Sequence, residues 1–225
     1  MSELTAFLSS NVVFGVWGGL VGLSLLVLAV DLHQKNAHLS PMMKFVWALT
    51  VLYSGPIGLG IYFYAGRKEI AHDSIWRRGF RSVAHCYSGC GMGEVLGVIL
   101  TVGLLSLGNL WVALASFSLA YVFGFGLTMG PLMQEGETFS DAFNDALYSE
   151  TPSITVMEVV AIGADLLLAG SAHMGQTLFW GALIFSLSLG LFAAYPVNVL
   201  LIKWGVKEGM MNPKHTPGNA APQTA

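Results

Sequence analysis

The sequence predicts an all-α, polytopic transmembrane helical bundle with six spans and both termini in the cytoplasm. Three observations predict it. The chain is 54% hydrophobic and only 10% charged, whereas water-soluble domains carry roughly 25% charged residues. Six stretches are long and apolar enough to cross a hydrocarbon core, which takes about 20 helical residues. Basic residues gather in alternate connections, with Arg67, Lys68, Arg77, Arg78, Arg81, Lys203, Lys207 and Lys214 on one side and only Lys35 and Lys44 on the other. Such a bias marks the cytoplasmic face.

The first span is expected over about 12–30, ending at Asp31. It reads as an uncleaved span because the preceding MSELTAFLSSN holds no Lys or Arg, unlike a signal peptide. A polar link leads to the second span, about 43–64, which Gly55-Pro56 is expected to bend. The only basic segment follows, and the third span starts near His85 or Cys86 and runs to about 107. A Gly108-Asn109 turn opens the fourth, about 110–133. In QEGETFSDAFNDALYSE, Phe139, Phe143, Ala146 and Leu147 make a one-sided apolar stripe, and Thr138 with Asp141 fits a capped helix start. A short amphipathic helix packed on protein is expected there. Thr151-Pro152 reads as the start of the fifth span, running to about 170. The sixth covers about 177–203, broken late at Tyr195-Pro196.

This partition gives an N-terminal two-helix hairpin over 1–66 and a basic cytoplasmic loop over 67–84. A four-helix membrane domain follows over 85–205, then a flexible tail over 206–225. The expected setting is the cell membrane, with the lipid bilayer as surroundings and a homo-oligomer or a membrane partner as candidate associations. Ten Lys/Arg against thirteen Asp/Glu, with no long basic run, exclude a nucleic-acid footprint. Two cysteines four apart make no extracellular disulfide framework.

The stretch SVAHCYSGCGMGEV concentrates the chemistry. Cys86, Cys90 and Glu94 fall at i, i+4 and i+8 and share a helix face, with His85 beside them at the expected start of the span. Thiolates and imidazole select soft ions, copper or zinc, whereas magnesium and calcium want oxygen. The competing reading is packing: Gly89, Gly93 and Gly97 form the small-xxx-small spacing of close helix pairs, and buried free cysteine is a common filler. A thiol-redox role ranks lower, since C-x3-C is not the C-x-x-C of thioredoxin-like motifs.

Glu158 and Asp165, seven apart on the fifth span, join Glu94 as acids inside the membrane without any Lys or Arg within a span. A central Asp costs about 2.5–3.5 kcal/mol on insertion scales. Such groups line a cavity or an ion path, or sit protonated between helices. Tyr195 and Asn198 flank the Pro196 kink, where they either satisfy freed backbone or line the path. His33, His38, His72, His173 and His215 read as solvated. No pair of histidines on two spans provides for haem, and no G-x-x-x-x-G-K-[ST] loop provides for a nucleotide.

The chain resembles a bacterial and archaeal membrane family, domain of unknown function 4396. The resemblance rests on SVAHCYSGCGMGE, which is similar to an HC-x-x-G-C-x-x-G-[DE] signature, on ALYSETPSITVMEV and on AAYPVNVLLIKWGVKEGM. It implies a multi-span helical protein and brings no activity. It emphasises His85, Cys86, Gly89, Cys90, Glu94, Glu158, Tyr195, Pro196 and Asn198, and Asp165 is not among them. The leading expectation is a non-enzymatic protein that binds, and moves, a soft metal through His85, Cys86, Cys90 and Glu94. Glu158, Asp165, Tyr195 and Asn198 would extend a polar path. A membrane scaffold or accessory subunit is the alternative, and a membrane thiol-redox protein the third.

Overall fold

The computed structural model describes residues 2–67, 72–134, 136–170 and 172–208. Lys68, Lys214, His215 and the expected tail beyond residue 208 lie outside the described residues. Among those described the chain is helical throughout, without strands. A short α1 (Ser2–Leu8) precedes α2 (Asn11–Gln34), α3 (Pro41–Ser54) and α4 (Pro56–Ile61), the last running into a π-helical turn, Tyr62–Gly66. Then come α5 (Ile75–Val98, continued by a π-helical Ile99–Leu104), α6 (Asn109–Gln134), α7 (Phe139–Ala169) and α8 (Thr177–Lys203).

Five of these helices are long and apolar enough to cross a membrane: α2, α5 with its π extension, α6, α7 and α8. The sequence expects six. The difference lies in residues 41–66, which fold back on themselves. Trp47 and Tyr62 would stand about 22 Å apart along one continuous helix, yet their ring centroids meet at 5.4 Å. The reversal comes at Gly55, whose φ of 55° suits a residue without Cβ. Its Cα faces Trp17 and Val21 of α2, near the middle of that helix. Segment 41–66 is therefore a helical hairpin rather than one continuous helix, with Gly55 buried at its tip. Gly55-Pro56 is a turning point rather than a bend. Beyond the tip, α1, α2 and α8 border an apolar cavity of about 590 Å³ lined by Leu8, Trp17, Leu20, Ile57, Phe185 and others.

Polar side chains clasp the hairpin's base. Asp31 at the end of α2 accepts from the Tyr62 hydroxyl (2.7 Å) and the Asn36 amide (2.9 Å), and pairs with Arg67 at 3.1 Å. Arg81, buried, donates to the Ala65 carbonyl at 3.1 Å and to both oxygens of Asp73 at 2.7 Å. This explains where α5 begins. The helix starts at Ile75, ten residues before His85, with the Ser74 side chain accepting from the Arg77 amide as its cap. Most of the expected basic loop 67–84 is thus the first part of α5.

An odd number of crossings sends the chain ends apart. At one end, Asn11 bonds Thr177 and the Asn109 amide donates to the Gly170 carbonyl at 2.6 Å. At the other, the Arg78 guanidinium donates to the Glu208 carbonyl beside the hairpin's base. Residues 2–11 and 203–208 accordingly lie at opposite ends of the bundle, where the sequence expects both on one side. Every described Lys and Arg falls at the end that holds residues 203–208.

α7 is a single helix through Pro152, so the expected amphipathic helix and fifth span are one element. The Thr138 cap forms as expected, its side chain accepting from the Asp141 amide. α8 likewise runs unbroken through Pro196. The core is α5, buried at every residue from Arg81 to Gly91 and enclosed by α3, α6, α7 and α8. α2, by contrast, is mostly exposed.

Candidate functional site

The cluster in SVAHCYSGCGMGEV resolves into separate stripes of α5. His85, Gly89, Gly93 and Gly97 repeat every fourth residue and face α6. A Cβ on Gly89 would meet the backbone of Gly124, one on Gly93 that of Ala120, and one on Gly97 the Ser116 side chain and backbone. The glycines let two backbones touch, as small-xxx-small pairs do, within this chain. His85 continues that stripe, buried near the Leu127 carbonyl, and neither ring nitrogen has a well-formed hydrogen bond.

The second stripe is Ser82, Cys86, Cys90 and Glu94, one residue out of step and about 100° round the helix. It faces α7 and α8. The Ser82 hydroxyl donates to Asn198 Oδ1 at 2.7 Å. Asn198 Nδ2 donates to Ser153 Oγ at 2.6 Å and to the Ala194 carbonyl at 2.9 Å. Ser153 Oγ in turn donates to Cys86 Sγ at 3.2 Å. The Cys90 thiol lies beside the Cys86 thiol and the Glu158 carboxyl, and Glu94 stands within electrostatic range of Glu158 and Asp165. Both cysteines are free and buried.

α7 supplies the matching row. Glu150, Glu158 and Asp165 fall within an arc of about 80° on one side of the helix, Glu158 and Asp165 almost in line since seven residues are close to two turns. From Glu150 to Asp165 the helix rises about 22 Å, most of a hydrocarbon core about 30 Å thick. At the end that holds residues 203–208, Glu150 Oε2 receives the Lys207 ammonium at 2.8 Å, which also donates to Asn198 Oδ1 at 3.0 Å. At the far end a small cavity of about 20 Å³ is lined by Glu94, Asp165 and Ser116 with apolar neighbours. That volume holds roughly one water molecule.

The carboxyls along this row are unequally served. Glu150 has its lysine. Glu94 and Glu158 are 3% and 0% exposed, and no carboxyl oxygen of either has a well-formed hydrogen bond. An ionised carboxylate so placed would face a desolvation penalty of several kcal/mol unless a cation or a hydrogen-bond donor joined it.

The structure therefore brings Cys86, Cys90, Glu94, Glu158, Asp165 and Asn198 to one interface. It sets His85 on the neighbouring stripe and Tyr195 elsewhere, stacked on Phe80 with centroids 4.0 Å apart. His33, His72 and His173 are exposed. Among the described residues, no three His, Cys, Asp or Glu side chains gather closely enough to hold a metal ion, so the expected set His85, Cys86, Cys90 and Glu94 is not assembled as ligands. Sequence reasoning missed Ser82, Glu150, Ser153 and Lys207. The first two were findable: Ser82 begins the i+4 ladder through Cys86 and Cys90, and Glu150 precedes Glu158 by eight.

The family described as "Domain of unknown function (DUF4396)" matches residues 75–207. Those residues hold all of α5 to α8 and both rows of the site. Neither a curated protein nor a solved structure matches the chain.

Proposed function

This chain belongs to the family "Domain of unknown function (DUF4396)", and we propose that it carries protons across the bilayer along the α5–α7 interface. The observation that carries this reading is the pair Glu94 and Glu158: buried, without a well-formed hydrogen bond, and, among the described residues, without a Lys or Arg in ion-pair contact. A carboxyl group can take up a proton on one side and release it on the other, and while protonated it crosses low-dielectric surroundings uncharged. Asp165 and Glu94 at the small cavity would receive the proton. Glu158, the two thiols and the Ser153 hydroxyl would pass it toward Glu150; Cys90 lies beside Glu158 and Cys86, and Ser153 Oγ donates to Cys86 Sγ at 3.2 Å.

The test is proton flux into sealed vesicles containing the purified protein, driven by an imposed pH step and read by a trapped pH dye. Glu158→Gln keeps the shape and removes the exchangeable proton. It should lower the flux by about 100-fold, the scale on which a positioned acid–base group acts. Equal flux in Glu158→Gln and wild type, or wild type no faster than empty vesicles, refutes the reading.

The end that gathers the basic residues is, by the positive-inside rule, the cytoplasmic one. The amino terminus then lies outside and Glu150 opens inward. A periplasm-active reporter fused ahead of Ser2 should be active, and a cytoplasm-active reporter in the same place silent. The opposite pattern reverses the orientation.

A further inference from the structure

Just past α8 the chain turns at Gly205, φ 74°, and runs back along the helix. The Val206 and Lys207 amides both donate to the Leu201 carbonyl, at 2.9 and 3.3 Å. This fold-back inserts the Lys207 side chain between α7 and α8 until only 8% of the residue is exposed. Its ammonium ends on Glu150 Oε2 and Asn198 Oδ1. Asn198 is the pivot: its oxygen accepts from both Lys207 and Ser82, and its amide donates to Ser153, which holds Cys86. The ammonium of Lys207, Glu150 Oε2 and the Asn198 amide at this mouth are thus all paired with one another or with Ser82 and Ser153.

A buried ion pair is a poor stabiliser, since desolvating two charges offsets much of their attraction. Its best-attested use is to fix one arrangement against another. Here one partner sits on a helix and the other on a short turn outside it, so withdrawing the turn uncovers Glu150 and Asn198 without unfolding a span. Two oxygens aimed at one point form a cation site, and the chain's own ammonium fills it.

We propose that Glu150 and Asn198 form a cation site at the inner mouth of the polar file, and that Lys207 is its tethered plug. In this structure the mouth is shut. With Lys207 withdrawn, the site takes a hydrated proton, an assignment that rests on the proton reading above. The plug itself does not.

The experiment reads access rather than transport. In full-length protein carrying Cys90→Ala, Cys86 is the one thiol left. Its reaction with aminoethyl methanethiosulfonate, a small ammonium-bearing reagent, is followed by mass in detergent micelles. Lys207→Ala should speed labelling about tenfold, as expected when a closed state loses the contact that favours it, while Lys207→Arg stays slow. Glu150→Gln, which keeps the lysine but removes its charge partner, should also speed labelling and serves if Lys207→Ala does not fold. Unchanged labelling in Lys207→Ala and Glu150→Gln, or equally fast labelling in Lys207→Arg, overturns the plug. Flux that survives Glu158→Gln would remove the proton reading and leave the labelling result standing.

Discussion

The two stripes of α5 differ by one position in sequence and by everything in environment. Gly89, Gly93 and Gly97 are pressed on α6 so closely that a methyl group has no room, and His85 continues their row, buried near the Leu127 carbonyl. Ser82, Cys86, Cys90 and Glu94 face α7 and α8 through hydroxyls, thiols and carboxyls. The comparison teaches that a dense motif need not be one site. Its glycines fix how near α6 stands, and its polar residues use the interface that this packing leaves on the other side.

The sharpest way to break the comparison is to add volume on the first stripe. Gly93→Leu would drive a side chain into the Ala120 backbone. Overpacking commonly costs about 1–3 kcal/mol, and more where backbone must move, so a loss of at least about 3 kcal/mol is expected, read as a collapse in thermal melting in detergent. Gly19→Leu on α2, where nothing lies within 4 Å, should stay within about 0.5 kcal/mol of wild type. Matching melts for the two variants would mean that the stripe does not hold the helices together. On the second stripe, Cys86→Ala/Cys90→Ala removes the acceptor of the Ser153 bond and should cost about 1 kcal/mol, with the fold kept. The smallest effect is expected in metal analysis. Copper and zinc per chain should be equal in this double variant and the wild type, and thiol-dependent metal would restore the soft-metal reading that the sequence favours.

How much was legible follows from what hydropathy can see. The spans 12–30, 110–133 and 177–203 appear as α2, α6 and α8 because each is apolar along its whole length, and the Thr138 cap is local chemistry. The hairpin was hidden because apolar content records burial or lipid contact, not direction. Residues 41–66 are as greasy as a span, and only the positive φ at Gly55 reverses them. The start of α5 was hidden because arginines read as loop. Arg81 sits inside the fold only because Asp73 and the Ala65 carbonyl, both distant from its helix face in sequence, receive it. Pro152 misled in the other direction: Thr-Pro is a good helix start, yet α7 arrives from Phe139 and continues through it. For the site, spacing within α5 and α7 was readable. The meeting of Asn198 with Ser153, and of Lys207 with Glu150, depends on how three helices stand and could not be.

The spread of acids along α7 has an electrical consequence. Because Glu150 and Asp165 are separated by about 22 Å of helix, a charge passed between them traverses most of the insulating layer. On the proton reading, a membrane potential then does most of the about 2.3 kcal/mol of work that a full crossing by one elementary charge takes for each 100 mV. Occupancy of Glu158, part of the way along, would respond to voltage as well as to acidity on either side.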